Sequence, residues 1–216
     1  MKQKWFPIGL VLFLGLAAGA CWIQRFSWDL PITLWLQSLT PPGFERLMVW
    51  VSIPGNGSWQ PYVMVLAVSI AFLLAGKKLE AGCSAMSAGG GALLSSLFKW
   101  IVGRPRPNID LVKVWTIIGN QSFPSGHVVN YVTFYGFLFC LVSWRIPNRL
   151  LRALLQLLLG TLILLVGPSR IYLGAHWSSD VIGGYLLGSL WLWRSIQVYK
   201  RYQHAQATVD TQEAAL

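Results

Sequence analysis

Charge is what this chain has least of. Only 11% of its 216 residues are Asp, Glu, Lys or Arg, where an ordinary soluble domain carries about 25%. Hydrophobic residues make up 55%. Water is thereby excluded as the main solvent of the fold, and lipid takes its place. Acids are scarcer still, with seven Asp and Glu against seventeen Lys and Arg, and no acidic cluster offers the oxygen ligands that a magnesium or calcium site needs. The three cysteines, Cys21, Cys83 and Cys140, sit in or at the ends of apolar stretches without paired spacing. They read as small hydrophobes, so neither a disulfide framework nor a metal site is implied. There is no internal repeat and no soluble domain. One membrane domain covers residues 1–203, and the polar stretch 204–216 reads as a disordered tail.

What is present is a series of apolar runs. A hydrocarbon core about 30 Å thick takes roughly 20 apolar residues per helical crossing. Six runs meet or approach that length: Phe6 to Ile23, Trp59 to Gly76, Ala81 to Val102, Val128 to Trp144, Leu150 to Gly167 and Trp177 to Trp193. The expected fold class is all-α, a polytopic bundle of six transmembrane helices. With the N-terminus inside, Lys2, Lys4, Lys77, Lys78, Arg145, Arg149, Arg152, Arg194, Lys200 and Arg201 all fall on the cytoplasmic side, the positive-inside pattern. That placement argues against nucleic acid as the partner of a basic chain. The first run also has features of a signal peptide, ending Ala18-Gly19-Ala20 before Cys21; cleavage there would leave the later topology unchanged.

Arg25, Arg46, Lys99, Arg104, Arg106, Lys113 and Arg170 fall on the other side, against the orientation rule, so they call for a different explanation. From Gln24 to Ser58 an outer connection rich in Pro and Gly is interrupted by apolar stretches, as expected of interfacial segments. In the third run Gly82, Gly89, Gly90, Gly91, Ala92 and Ser95 permit close helix packing.

Three segments far apart in sequence reach that outer side together. In the first, Lys99 precedes Arg104-Pro105-Arg106-Pro107; the prolines end the helix, and the rigid turn aims the planar fork of Arg106, which matches phosphate geometry. The second is Pro124-Ser125-Gly126-His127. Ser125 can cap the next helix, Gly126 lets an anion approach backbone N–H groups, and His127 at the helix mouth can donate a proton. The third runs from Ser169-Arg170 to His176 and Asp180. One helical turn separates the last two, so the carboxylate can hold the imidazole in one tautomer.

In this order and spacing the segments resemble the type 2 phosphatidic acid phosphatase family, which includes bacterial phosphatidylglycerophosphate and undecaprenyl diphosphate phosphatases. The family pattern is a lysine and Arg-Pro, then Pro-Ser-Gly-His, then Ser-Arg, five residues, His, three residues, Asp. Lys99 with Arg106-Pro107, Pro124 to His127, and Ser169-Arg170 with His176 and Asp180 satisfy each position. The resemblance implies a membrane lipid phosphatase acting on a phosphate monoester or diphosphate. His176 would attack phosphorus to form a phosphohistidine, Asp180 would orient it, and His127 would protonate the leaving oxygen. Lys99, Arg106, Arg170, the Ser125 hydroxyl and the Gly126 backbone would surround the phosphoryl oxygens, without a metal or other cofactor. The implied partners are a lipid phosphate and membrane lipids, and the implied location is a bacterial inner membrane with the site facing outward. A vanadium haloperoxidase-type oxidase and a non-enzymatic lipid carrier or channel are the rival readings. Six spans argue against the first, and His176 and Asp180 at helical spacing against the second.

Overall fold

The structure, a computed structural model, describes residues 5–55, 59–115, 119 and 121–213. Lys2, Lys4, Gly57 and Ser58 therefore lie outside the described residues. Among those described the chain is helical, with a single isolated bridge between Pro105 and Gln121. The helices are α1 (Trp5–Trp22), α2 (Asp29–Ser38), α3 (Phe44–Ser52), α4 (Gln60–Leu74) and α5 (Lys78–Val102). They are followed by α6 (Gly126–Arg145), α7 (Arg149–Tyr172) and α8 (Ser178–Glu213). Inside α6 the residues Tyr131–Tyr135 form a π-helical turn.

The solvent logic is inverted relative to a water-soluble protein. Trp100, Leu157 and Leu164 are 76%, 68% and 71% exposed, while Ser52, Ser84, Ser87, Arg104, Thr133 and Asp180 are buried. Apolar side chains meet the surroundings and polar ones lie inside, Arg104 and Asp180 paired with each other, as a helix bundle in lipid requires. Among the described residues α1, α5, α6 and α7 are long and apolar enough to cross a bilayer. A fifth crossing arises if Phe44–Gly55 and Gln60–Leu74, which meet at 63°, form one bent span.

The six expected runs all fall on helices, but two depart from a simple span. α4 has 15 residues, about 22 Å at 1.5 Å per residue. α8 is the central helix, packed against α1, α5 and α6. Its buried face carries Ser178, Ser179, Asp180 and Ser195 besides leucines. A helix enclosed by protein needs no apolar exterior, which is why hydropathy marks it weakly. Small residues let its neighbours close in: a Cβ on Gly184 would lie 3.0 Å from the Ser125 carbonyl oxygen, and one on Gly188 would lie 2.8 Å from Val132 Cβ. α8 continues as helix to Glu213, over much of the stretch that reads as a disordered tail in the sequence.

The connection between α1 and α4 folds into α2 and α3, which pack on α7. Gln37 of α2 staples this cap to the rest. Its Nε2 donates to the carbonyls of Lys113 at 2.7 Å and Tyr172 at 2.9 Å, and its Oε1 accepts from Lys113 N at 3.0 Å.

Candidate active site

The up-and-down order of helices brings the end of α5, the start of α6, the end of α7 and the start of α8 to one end of the bundle. Lys99 stands in the last turn of α5. That helix stops because Gly103 takes a left-handed conformation, φ 61°, and returns its N–H to the Lys99 carbonyl at 2.9 Å. The chain then runs through Arg104-Pro105-Arg106-Pro107 and is tied to the segment before α6. Ser122 N donates to Arg104 O at 2.7 Å, and Lys99 Nζ to Gln121 O at 3.0 Å.

Arg106 reaches across to the turn between α7 and α8. Its Nη1 donates to Ala175 O at 2.6 Å and lies 3.3 Å from His176 Nε2. The turn is tight because Gly174 has φ 65°, and a Cβ there would stand 2.1 Å from Lys113 O; only glycine fits. Backbone bonds from Ala175 N and His176 N to Arg170 O, at 3.1 and 3.3 Å, complete it. Arg170, buried at the end of α7, donates to the Ser52 hydroxyl of α3, so the cap helps to aim it.

Asp180 lies behind the imidazole. Its Oδ2 is 3.7 Å from His176 Nδ1 and accepts from Trp177 N at 2.8 Å and from the Ser122 hydroxyl. The same hydroxyl is 3.4 Å from His176 Nδ1. Ser122 thus bridges a carboxylate and a ring that stand somewhat too far apart for a direct hydrogen bond. Nδ1 faces these two partners, and Nε2 faces Arg106 and the open side.

That open side is a cavity of about 530 Å³ lined at one end by Lys99, Arg106, Gly126, His127 and His176. Ser125, Arg170 and Asp180 stand behind it. Ser125 sits at the helix start, yet its hydroxyl makes no capping bond and has no hydrogen-bond partner among the described residues. Its backbone is held instead, N–H to Asp180 O at 3.0 Å. The expectation of a serine side-chain cap is therefore corrected.

Burial first, then the positive charges of Arg106, Lys99 and Arg170, hold the His176 imidazole well below the usual histidine range. At neutral pH it is uncharged, which a nucleophile must be. Burial also pulls the Arg106 guanidinium down from its ordinary value.

Three residues of the site carry no role in the sequence reading. Ser122 lies just before Pro124-Ser125-Gly126-His127, outside the pattern. Asp29 is an acid inside the apolar outer connection, a signal in a chain with so few. Arg104, part of the Pro-containing turn after α5, lies buried beside both Asp29 and Asp180.

Helices wrapped in lipid-facing side chains, with a lysine, two arginines and two histidines converging at one end, define a membrane-embedded protein built to handle an anion. Residues 80–203 match the family model of the PAP2 superfamily, and the chain belongs to that superfamily. It is 27% identical over 188 residues to phosphatidylglycerophosphatase B of Bacillus subtilis (strain 168), covering 85% of this chain and 90% of that one. The crystal structure of a transmembrane PAP2 type phosphatidylglycerolphosphate phosphatase from Bacillus subtilis has the same fold, with a TM-score of 0.77 at 22% identity over 91% of this chain and 96% of that one. The crystal structure of Aquifex aeolicus LpxE matches with a TM-score of 0.65 at 24% identity, covering 81% and 98%.

Proposed function

We propose that this chain hydrolyses the phosphate monoester or diphosphate of a membrane lipid, with His176 as nucleophile. The observation that carries the lipid reading is the cavity itself. From the basic cluster it continues between α4 and α5 along Val65, Leu66, Ala88 and Ala92, a wall that suits hydrocarbon. Phosphatidic acid, phosphatidylglycerophosphate and undecaprenyl diphosphate all fit this description.

Phosphoryl transfer asks a protein for position and charge more than for covalent chemistry. Lys99, Arg106 and Arg170, with the Ser125 hydroxyl and the Gly126 N–H, surround the phosphoryl oxygens. The negative charge of the phosphate offsets the mutual repulsion of the three cations. His176 Nε2 attacks phosphorus while Asp180 and Ser122 keep the proton on Nδ1. His127 protonates the departing oxygen, and water attacks the phosphohistidine to release phosphate. The cations supply the charge that a metal ion provides in many phosphatases. A topology of six crossings, with α4 and α8 as the weakly marked pair, belongs to this reading; with the positive-inside pattern it supports a site on the outer face of a bacterial inner membrane.

The test is phosphate release by the detergent-solubilised protein and its His176→Ala variant on phosphatidic acid, phosphatidylglycerophosphate, a polyprenyl diphosphate and a soluble phosphate ester, each with and without EDTA. Release from the lipids that persists in chelator and vanishes in the variant is expected. Near-normal release by His176→Ala ends the mechanism, and a loss in EDTA restored by magnesium ends its metal-free form.

A further inference from the structure

A buried chain of charges runs from the cap to the back of the active site. Arg104 lies between two carboxylates, its Nη2 donating to Asp29 Oδ2 at 2.8 Å and its Nη1 to Asp180 Oδ1 at 2.6 Å, and all three side chains have 0% exposure. The guanidinium is saturated further by Ser179 Oγ at 2.7 Å and by Gln24 O, which accepts from Nε at 3.1 Å. Asp29 is saturated as well. Oδ1 accepts from Ser178 Oγ at 2.7 Å and Ser179 N at 2.9 Å, and Oδ2 accepts from Phe26 N at 2.9 Å and Ser179 Oγ at 2.8 Å. One residue of α2 thus gathers the first turn of α8, the linker after α1 and the arginine that grips Asp180.

We propose that Asp29 and Arg104 are positioning residues for the reaction: Arg104 locks the Asp180 carboxylate behind His176, and Asp29 shares the charge of Arg104 so that Asp180 stays electrically a carboxylate. The inference rests on the phosphatase reading of His176. Burying three charged groups is expensive, and apolar side chains of similar volume often hold a fold together as well. A purely structural joint between α2 and α8 has no need of a guanidinium touching the catalytic carboxylate. The charge balance gives a more specific reason. An Arg104–Asp180 pair alone is neutral and would offer the imidazole little field. With Asp29 included the triad carries one net negative charge, and its nearest titratable neighbour on the site side is His176, Nδ1 to Oδ2 3.7 Å. As Nε2 bonds to phosphorus the ring becomes positive, and that negative charge is then most useful. Oδ1 is committed to Arg104 and Oδ2 to Trp177 N and Ser122, so the carboxylate cannot swing toward Arg106 or Lys99 and neutralise the phosphate-binding cations.

The experiment uses the full chain in detergent and measures kcat and KM for phosphate release from whichever lipid of the panel above the wild-type protein hydrolyses fastest, with thermal unfolding in parallel. The variants are Asp29→Asn, Arg104→Gln, Arg104→Lys and Ser179→Ala. Asp29→Asn keeps shape and removes the shared charge. Groups in one buried hydrogen-bond network couple strongly, and a loss confined to the transition state lowers kcat without moving KM. Folded Asp29→Asn is expected to lose about tenfold or more in kcat with KM changed less than about twofold, and Arg104→Lys to recover part of the kcat that Arg104→Gln loses. Ser179→Ala, which touches both charges and leaves them paired, should fall between wild type and Asp29→Asn. Folded Asp29→Asn with wild-type kcat overturns the proposal, as does a rise in KM alone, which would assign the network to phosphate binding. Failure of both Asp29→Asn and Ser179→Ala to fold also overturns it, in favour of a structural anchor. Inactive wild-type protein would count against the phosphatase itself, a result distinct from any of these.

Discussion

A buried histidine surrounded by Lys99, Arg106 and Arg170 is poor at holding a proton, and for a nucleophile that is an advantage. The neutral ring is the reactive one, and burial with the cations keeps it neutral below the usual histidine pKa of about 6.5. In the proposed mechanism protonation of His176 removes activity, and it is delayed to lower pH than for an exposed histidine. The acid limb of kcat/KM, which reports the free enzyme, is therefore expected below pH 6.5 for a substrate whose own phosphate ionisation has been corrected for. An acid limb at or above an ordinary histidine value would contradict the electrostatics of the pocket. Ser122 belongs to the same residue-scale account. It relays Asp180 to Nδ1 where the direct distance is 3.7 Å, and a hydrogen bond to a charged group contributes about 1.5–3 kcal/mol. Ser122→Ala should lower kcat by about tenfold or more with the protein still folded; an unchanged kcat would mean that the carboxylate reaches the ring unaided.

At the scale of single helices, the small residues of α5 divide by task. A Cβ on Gly90 would stand 2.1 Å from the Trp191 ring, and one on Gly91 2.7 Å from Thr133 Oγ1, so these two seat α8 and α6. Gly82 and Gly89 have nothing within 4 Å, and Gly89 lines the cavity. Their small size alone suits close packing for the whole group, and only the neighbours separate the residues that pack from those that leave room. Gly90→Val should destabilise by about 1–3 kcal/mol through overpacking, read as a lower unfolding temperature. Gly89→Leu should leave stability near wild type while narrowing the cavity, raising KM for a long-chain lipid phosphate and not for a soluble ester. Equal effects of Gly89→Leu on both substrates would place the acyl chains elsewhere. At the opposite end of the bundle Glu80 pairs with Arg145 at 2.6 Å, and the Tyr199 hydroxyl donates to Glu80 at 3.1 Å. This joint ties α5, α6 and α8 far from the chemistry.

Considered whole, the molecule sorts its basic residues into two populations. Lys77, Lys78, Arg145, Arg149, Arg152, Lys200 and Arg201 mark one end of the bundle, while Lys99, Arg104, Arg106 and Arg170 gather at the other, all but Arg104 standing with His127 and His176 around the cavity or just behind it. The first population fits the positive-inside rule, and in the proposed topology the cavity mouth then faces outward. That orientation predicts the outcome of labelling intact cells with a membrane-impermeant maleimide, after Cys21, Cys83 and Cys140 have been replaced by serine or alanine. A cysteine at Asp110, in the loop between α5 and α6, should label, and one at His204 in α8 should label only after the membrane is opened. The reverse pattern would put the site on the cytoplasmic face and make its substrate an inner-leaflet lipid.

By itself the sequence determined the solvent, the helical class and the short motifs that the fold gathers at one end of the bundle. Apolar run length responds to bilayer thickness, and Lys99, Arg106, Pro124 to His127, Arg170, His176 and Asp180 occur in short local patterns that survive without a fold. Tertiary structure decided what depends on distance between elements. α8 is a central helix whose polar face is enclosed, so its hydropathy understates its place, and the Ser125 hydroxyl makes no capping bond although its residue stands at the start of α6. The partnership of Asp29, Arg104, Ser122 and Asp180 spans about 150 residues of sequence separation at its widest, Ser179 N to Asp29 Oδ1. No periodicity or spacing encodes such a contact; it exists only once α2, the turn after α5 and the start of α8 have been packed into one low-dielectric space, where a buried charge must find its partner.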